Sequence, residues 1–317
     1  TEVSSYDVVN AISLVACDFD GDGYTDVAAG RRGGLVRIFL GNGDGSLGLP
    51  EEFSTGNGGL VDLKAADFNR DGVVDLVGLN DGGERILFGL GDGTFDFVHE
   101  FGDSGRKLTV SDFDRNGLPD VAWTEGGPVK QRLGIGRGVL GDKQRYGTPD
   151  STDLTGVATS DFNEDGVPDI AIGDRKGSRI GIVLADATGE FVSTTYYAVN
   201  SNPFDITVGD FNADGHADLA AVNKGSHVAS VLLGKGNGQF LAPVDYATGN
   251  KPRAIVAEDL DGDGHIDLAV ANEKSDDVSI FINKMNANPG IDSLSANPDP
   301  VTRPNNITLT ASGVRDA

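Results

Sequence analysis

The chain has 317 residues and a formal net charge of −24, with 46 glycines and a single cysteine. Its length allows one large β domain or two ordinary domains, and its acidity argues against a nucleic acid or an anionic membrane surface as the partner. The single Cys17 excludes an internal disulfide and a thiolate metal cluster, and no apolar run reaches the roughly 18 residues of a membrane span.

The first motif along the chain is the nine-residue loop Asp18–Asp26, with Asp at its first, third, fifth and ninth positions and Gly23 after the fifth. Alternating side chains of a curled loop point inward, and the Gly tolerates a left-handed backbone. The backbone carbonyl of the seventh residue, Tyr24, is a natural additional ligand. Calcium takes such all-oxygen sets, whereas zinc favours Cys and His. The loop therefore predicts a calcium site.

The same loop occurs six times, with its first Asp at positions 18, 67, 112, 161, 210 and 259. Ordinary Asp/Asn/Gly turns would not require an Asp at the ninth position of every copy. Up to six Ca²⁺ ions are therefore the predicted cofactors. The predicted ligands, including the carbonyl donors at position seven, are Asp18, Asp20, Asp22, Tyr24, Asp26, Asp67, Asn69, Asp71, Val73, Asp75, Asp112, Asp114, Asn116, Leu118, Asp120, Asp161, Asn163, Asp165, Val167, Asp169, Asp210, Asn212, Asp214, His216, Asp218, Asp259, Asp261, Asp263, His265 and Asp267.

An EF-hand shares the first five positions and the Gly, but it needs a bidentate Glu at position twelve. That position holds Ala29, Gly78, Trp123, Ile172, Ala221 and Val270. A short apolar run such as Asp75-Leu-Val-Gly follows each loop and predicts a buried strand instead of an exiting helix. We therefore interpret each loop as a structural calcium site that fixes the connection between two strands, not as a catalytic metal centre.

The steps between successive loops are 49, 45, 49, 49 and 49 residues, and a period in this range is typical of blades or solenoids. Each period contains a strand before the loop, a strand after it, a third apolar or alternating strand, and a Gly-rich turn such as Gly89–Phe95 that leads to a fourth strand. The sequence therefore predicts an all-β fold, a six-bladed β-propeller of four-stranded antiparallel blades.

The last repeat lacks its Gly-rich turn, because Phe281-Ile-Asn-Lys runs directly into Met285. At the other end of the chain, Tyr6-Asp-Val-Val-Asn precedes the first loop much as Tyr197-Ala-Val-Asn precedes the fifth. Residues of about 2 to 9 are therefore predicted to form the outer strand of the last blade. This strand would close the ring and pair an open sheet edge.

Repeats of the form Asp-Phe-Asn-x-Asp-Gly-x-x-Asp, followed by a strand and a Gly-x-Gly-Asp-Gly turn, resemble FG-GAP/VCBS repeats, which also form the calcium-loop blades of integrin α-subunit propellers. The resemblance covers about residues 2 to 284 and implies the same fold and the same calcium loops. The third copy departs from the pattern with Gly134-Ile-Gly-Arg-Gly-Val-Leu, and the fourth with Ala185-Asp-Ala-Thr-Gly-Glu-Phe. These departures concern the outer hairpins and leave the ligand positions intact.

After Asn288 the chain becomes rich in proline, and Ile307-Thr-Leu-Thr-Ala then alternates like a strand. This segment resembles the opening of an immunoglobulin-like module of bacterial surface proteins, although about 30 residues cannot bury such a core. We therefore divide the chain into a propeller, residues 1–284, and a short C-terminal extension, residues 285–317. The extension is either the start of a longer module or a connector strand to another molecule.

In this fold the loops between second and third strands lie on the rim opposite the calcium loops. Variable polar loops on a rigid scaffold are common binding sites. Trp123, the only tryptophan, could stack on a sugar there or fill a blade junction. The candidate ligand residues of this rim are Arg31, Arg32, Trp123, Asp174, Arg175, Lys176, Lys224, Lys251, Arg253 and Lys274.

Oxygen sites of modest affinity are filled at the millimolar calcium levels outside cells, so we expect a secreted or cell-surface protein. The leading hypothesis is an extracellular calcium-binding propeller that serves as an adhesion or ligand-binding module for a glycan or a protein. Alternatives are a lectin with pockets between blades, a polysaccharide-cleaving enzyme, and a structural subunit that assembles with copies of itself through the C-terminal segment. Because the sequence shows no catalytic acid and base constellation, we do not expect an enzyme.

Overall fold

The computed structural model describes residues 6, 8, 10–55, 58–80, 83–102, 104–148, 153–284 and 294–296. In this part of the chain the fold is all-β, with six four-stranded antiparallel sheets arranged as the blades of a propeller. These residues contain no helix, and hence none that could cross a membrane. The predicted fold class and number of blades are confirmed.

The strands follow one another in chain order within each blade. In blade 3 the Gly-rich turn before the fourth strand forms a two-stranded hairpin, β12–β13, where blades 1 and 5 have a single bridge, Gly41 to Leu47 and Gly234 to Phe240. Blade 1 comprises β1 (Ala11–Cys17), β2 (Asp26–Arg31), β3 (Leu35–Phe39) and β4 (Glu51–Ser54). Blade 2 comprises β5 (Leu60–Ala66), β6 (Asp75–Asn80), β7 (Gly83–Gly89) and β8 (Phe95–Glu100). Blade 3 comprises β9 (Lys107–Ser111), β10 (Asp120–Thr124), β11 (Val129–Arg132), β12 (Gly134–Gly136), β13 (Val139–Leu140) and β14 (Gln144–Tyr146).

The remaining blades contain no inserted hairpin. Blade 4 comprises β15 (Leu154–Ser160), β16 (Asp169–Asp174), β17 (Arg179–Ala185) and β18 (Phe191–Ala198). Blade 5 comprises β19 (Pro203–Gly209), β20 (Asp218–Asn223), β21 (Val228–Leu232) and β22 (Val244–Ala247). Blade 6 comprises β23 (Pro252–Glu258), β24 (Asp267–Asn272), β25 (Asp277–Asn283) and β26 (Leu294–Ala296).

The core lies between the blades. A hydrophobic cluster fills each of the five junctions from blades 1 and 2 to blades 5 and 6. In all five of these junctions the Phe of the Asp-Phe pair at the start of one loop packs with residues of the next blade. Phe19, for example, packs edge to face on Phe95 with ring centroids 5.7 Å apart, a favourable geometry for aromatic pairs. The first five acidic loops therefore each also contribute a core side chain.

The junction between blades 6 and 1 is packed less completely in the described part of the chain. Leu14 corresponds by repeat position to Leu63 and Ile255, which are buried against the preceding blade, yet it is 43% exposed. Leu260 takes the place of Phe19 and its counterparts but is 38% exposed, whereas Phe19 is 1% exposed. Apolar side chains that are buried at the other five junctions are thus accessible at this one.

The outer strand of blade 6 differs from the prediction. Leu294–Ala296 pairs with β25 through Phe281 and Ala296, so a segment after residue 284 occupies the fourth-strand position that the prediction gave to residues 2 to 9. The open edge of β25 is paired by the chain that follows it, a short connection with a modest closure cost. Residues 1–5, 7 and 9 lie outside the described residues, as does most of 285–317, and the division at 284 stays a prediction.

Tyr6 does make the contact that its resemblance to Tyr197 indicates. Its hydroxyl accepts a hydrogen bond from the Leu47 amide at 2.5 Å, and its ring lies 5.7 Å from that of Phe39 in blade 1. Tyr197, from the outer strand of blade 4, accepts from the Phe240 amide of blade 5 in the same way. The N-terminal segment therefore reaches the outer part of blade 1.

Candidate functional site

The six acidic loops share one backbone path. In the first loop, the Asp18 carboxylate accepts hydrogen bonds from the amides of Gly21 at 2.7 Å and Gly23 at 2.9 Å, which winds the loop around its first side chain. The glycine after the fifth position has a φ between 78° and 88° in all six copies, the left-handed region that favours glycine. The fourth position is also left-handed and is held by Arg70, Arg115, Glu164 and Ala213 in the middle copies, a feature that the sequence analysis missed.

Carboxylate oxygens converge within 4.8 Å of one another in three loops, at Asp18, Asp20 and Asp22, at Asp112, Asp114 and Asp120, and at Asp259, Asp261 and Asp263. In the other three loops the third position is Asn, and its amide group donates to the fifth-position Asp, as Asn163 does to Asp165 at 2.9 Å. Asp112 Oδ1 is buried without a hydrogen-bond partner among the described residues. An all-oxygen donor set with an unused buried carboxylate oxygen fits a hard cation such as Ca²⁺.

The ninth-position Asp has a second role that the sequence did not reveal. In each copy it is fully buried, and its two oxygens accept backbone hydrogen bonds from separate segments. Asp26 accepts from Phe19 at 2.7 Å and from Gly41, at the end of the third strand, at 2.7 Å. The corresponding carboxylates are Asp75, Asp120, Asp169, Asp218 and Asp267. Each of these side chains, which we call clamp carboxylates, therefore joins its loop to the turn that leads to the fourth strand.

Burial raises the pKa of the clamp carboxylates in four loops, because the charged form loses its hydration. The pKa rises to about 7 for Asp120 and Asp169, and to about 6 for Asp75 and Asp218. Two backbone hydrogen bonds to each carboxylate oppose this shift without cancelling it. A cation beside these groups would stabilise their charged form.

Calcium binding is therefore expected to weaken as the pH falls from about 8 to about 5, because protons compete for these carboxylates. In the cation-free protein, the free energy of unfolding depends on pH in the opposite direction. The raised folded-state pKa makes burial of the charge costly above pH about 7, and this cost is relieved as the pH falls toward the unfolded value of about 4. Calorimetric calcium titrations at both ends of this range measure the first effect, and a pH-independent affinity would contradict it.

Neighbouring loops contact each other around this face of the ring. The Arg70 guanidinium, at the fourth position of the second loop, donates to the carbonyl oxygens of Asn116 and Gly117 in the third loop. Glu164, at the fourth position of the fourth loop, contacts the His216 ring of the fifth loop, and this carboxylate raises the pKa of His216. These contacts join the second loop to the third and the fourth loop to the fifth. We call the acidic surface that carries the six loops the loop face.

The opposite rim carries most of the predicted ligand residues, many of them in ion pairs. Glu273 pairs with Lys224 and, at 2.9 Å, with Arg253. Both cations lie over the Phe204 ring, at 4.9 Å for Lys224 Nζ and 5.3 Å for the Arg253 guanidinium carbon. This group, at the junction of blades 5 and 6, combines an aromatic surface with two cations.

The other candidate rim residues are more dispersed. Arg175 pairs with Asp153, which also binds Arg106, and these contacts lower the pKa of Asp153 against the effect of burial. Arg31 pairs with Glu52 at 2.8 Å, and the buried Asp174 pairs with Arg179 at 2.8 Å. Arg32, Lys176, Lys251 and Lys274 are exposed residues of the rim loops.

Trp123 does not belong to the rim surface. It lies in β10, is fully buried in the junction between blades 2 and 3, and has Lys130 Nζ 5.9 Å from its ring. We predicted Trp123 on the ligand rim because it follows the third acidic loop closely in the sequence. In the structure, Trp123 lies in the second strand of blade 3, and side chains of blades 2 and 3 cover it.

A buried charged group in the central channel was also missed. Lys107 Nζ of blade 3 lies 3.4 Å from Asp205 Oδ1 of blade 5 and 4.0 Å from Asp62 Oδ1 of blade 2. Burial alone would lower the pKa of Lys107, but the two carboxylates outweigh it and raise that pKa. The sequence does contain a signal for this group, because its three residues share one repeat position. That position lies five residues before the first Asp of each loop and is held by Ser13, Asp62, Lys107, Gly156, Asp205 and Ala254.

The model of FG-GAP-like repeats matches the sequence five times, over residues 18–78, 67–123, 112–172, 161–221 and 210–270. Each match starts at the first Asp of one loop and extends into the strand that follows the next loop. A comparison with curated proteins gives no match.

Three solved structures share the fold. A lectin of Agrocybe aegerita, described as recognising non-reducing terminal N-acetylglucosamine, has 18% identity and a TM-score of 0.63, covering 91% of this chain and 80% of that chain. The BP39L lectin of Burkholderia pseudomallei has 16% identity and a TM-score of 0.63, covering 86% and 82%. BBS1N, solved in complex with ARL6DN, has 12% identity and a TM-score of 0.61, covering 88% and 83%. At these identities the similarity is one of fold.

Proposed function

Because the chain belongs to the FG-GAP-like repeat family, we propose that it is an extracellular, calcium-binding β-propeller that serves as a ligand-binding module for a glycan or a protein. The observation that carries this proposal is the separation of charge between the two faces. Carboxylates are concentrated on the loop face, whereas the opposite rim presents Arg and Lys side chains in a chain whose net charge is −24.

On the loop face, calcium would be held by the carboxylate oxygens of positions one, three and five, with the ninth-position Asp behind them. A divalent cation at each loop would offset clustered negative charge, so binding and folding would be coupled. Such sites fill at extracellular calcium levels, which supports a location outside the cell. In this proposal calcium stabilises the scaffold and does not contact the ligand.

On the opposite rim, Phe204, Lys224 and Arg253 form the most developed binding surface, and Arg253 is 41% exposed at its side chain. A half-buried aromatic ring flanked by cations can pack on the apolar face of a sugar or on a protein side chain. The lectins among the structures of similar fold support a carbohydrate as the first ligand class to test. The ion pairs with Glu273 hold both cations in position.

The proposal is tested on a glycan array and a panel of immobilised extracellular proteins, with calcium and with excess chelator. We expect calcium-dependent binding that Arg253→Ala weakens by about tenfold, since one hydrogen bond to a charged group has that value. Lys235→Ala is the matched control, because Lys235 is an exposed cation on the loop face of blade 5. Equal binding by the two variants would contradict the rim site, and no binding by the folded protein to either panel would contradict the function.

A further inference from the structure

A cleft of about 410 Å³ lies between blades 3 and 4, on the outer part of the molecule. It is lined by Gln131, Gln144, Arg145, Tyr146, Glu190 and Phe191. This volume is within the range of roughly 300–1,000 Å³ that is typical of small-molecule sites. The cleft is separate from the six loops and from the Phe204 group between blades 5 and 6.

The cleft lies beside the short outer strand of blade 3. This strand, β14, has three residues, compared with four in β4 and β22 and eight in β18. The outer edge of blade 3 is therefore short where it meets the turn of blade 4 that contains Glu190.

Gln131 is the residue of the cleft that departs most from the repeat. It pairs with Ala122 across the two central strands, and in the other five blades the residue at this register position is apolar: Ile38, Ile86, Ile182, Val231 and Ile280. Gln131 is only 3% exposed, and its Nε2 donates at 3.0 Å to the Gly189 carbonyl of the blade 4 turn. This hydrogen bond offsets the cost of burying an amide in place of a β-branched residue, and it joins blade 3 to the turn of blade 4 beside the cleft.

The other side chains give the cleft a mixed character. Tyr146 and Phe191 form its aromatic part, with ring centroids 6.2 Å apart. Gln144, Arg145 and Glu190 are exposed around it, and Arg145 and Glu190 form no ion pair among the described residues. The cleft thus offers hydrogen-bond donors and acceptors together, beside an apolar surface.

This chemistry matches a neutral sugar. Sugar hydroxyls both donate and accept hydrogen bonds, which amide groups, a guanidinium and a carboxylate can satisfy together, and the C–H face of a pyranose can pack on an aromatic ring. A ligand with a net charge would meet either Arg145 or Glu190 with the same sign. We propose that the cleft between blades 3 and 4 is a carbohydrate subsite for a neutral pyranoside, an inference that rests on the proposed ligand-binding function.

The test uses the methyl glycosides of glucose, galactose, mannose and N-acetylglucosamine as probes in ligand-observed NMR with the full chain. We expect at least one to bind, and Gln131→Ile and Arg145→Ala each to weaken its binding by about tenfold, the value of one such hydrogen bond. Gln131→Ile installs the residue of four other blades and is therefore expected to fold. Gln239→Ala is the matched control, since Gln239 precedes Phe240 in blade 5 as Glu190 precedes Phe191 in blade 4.

Lost binding by the folded Gln131→Ile and Arg145→Ala variants, with the melting temperature of Arg145→Ala unchanged, would support the subsite. Wild-type affinity in both variants, or no binding of any probe by the folded wild-type chain, would overturn it. The failure of this inference is distinguishable from that of the proposed function. Binding that survives Gln131→Ile but is lost in Arg253→Ala would reject the cleft and retain the rim as the ligand site.

Discussion

Removal of divalent cations with excess chelator is expected to lower the melting temperature of the protein by about 10 °C or more. A ligand at about a hundredfold above its dissociation constant stabilises the folded state by about 2.7 kcal/mol per site. For a domain of this size, 1 kcal/mol shifts the melting temperature by about 2–4 °C, so two filled sites are enough. Without a cation, the carboxylates that converge in each loop also repel one another. Thermal melts followed by circular dichroism, with calcium and with chelator, measure the effect.

A pair of matched variants separates cation binding from general effects of charge. Asp22, at the fifth position of the first loop, accepts a hydrogen bond from the Tyr24 amide at 2.8 Å. Asp44, in the Gly-rich turn of the same blade, accepts one from Ser46 in the same local geometry at 2.9 Å. We expect Asp22→Asn to lower the melting temperature in calcium but not in chelator, and Asp44→Asn to change it equally little in both. Melting temperatures that are identical with calcium and with chelator would contradict the calcium proposal.

Replacement of a clamp carboxylate is expected to destabilise the protein even without calcium. In the wild type, Asp169 accepts backbone hydrogen bonds from Phe162 at 3.0 Å and from Ala185 at 2.8 Å, and it is fully buried. Asp169→Ala leaves both amides without a partner inside the blade, at a cost of about 1–3 kcal/mol each. We therefore expect the free energy of unfolding in chelator to fall by about 2–5 kcal/mol, measured by urea denaturation.

Asp165 of the same loop provides the control, because it is exposed and its carboxylate accepts a hydrogen bond from a local amide. In chelator, Asp165→Ala is expected to cost less than about 1 kcal/mol, as is usual at surface positions. In calcium, both variants should be destabilised, since both side chains are predicted ligands. If Asp169→Ala is no more harmful than Asp165→Ala in chelator, the clamp does not contribute as its hydrogen bonds indicate.

The number of blades and the positions of the loops could be predicted because both depend on local spacing. The nine-residue motif and its regular step are visible in the sequence, and they determine where first and second strands meet. The clamp could not be predicted in this way. Asp26 accepts a hydrogen bond from the Gly41 amide, 15 residues later in the chain. Its role can therefore be recognised only when the position of the third strand is known.

Contacts across the ring were still less accessible to sequence analysis. Asp62, Lys107 and Asp205 come from three blades, and nothing in their local sequence joins them. Alignment of the six repeats on the first Asp of each loop would have placed them at one level of the channel. The cleft of blade 3 had a clearer signal, since Gln131 stands where the other five copies carry Ile or Val.

The partly exposed Leu14 and Leu260 give the ring a mechanical asymmetry. Five of its junctions are each held by a continuous apolar cluster, whereas the described residues of blades 6 and 1 form no such cluster between them. Thermal fluctuations that separate neighbouring blades would therefore begin between blades 6 and 1. Local opening at this junction would precede separation at the other five. The buried ninth-position carboxylates and the loops would keep each blade folded while blades 6 and 1 separate.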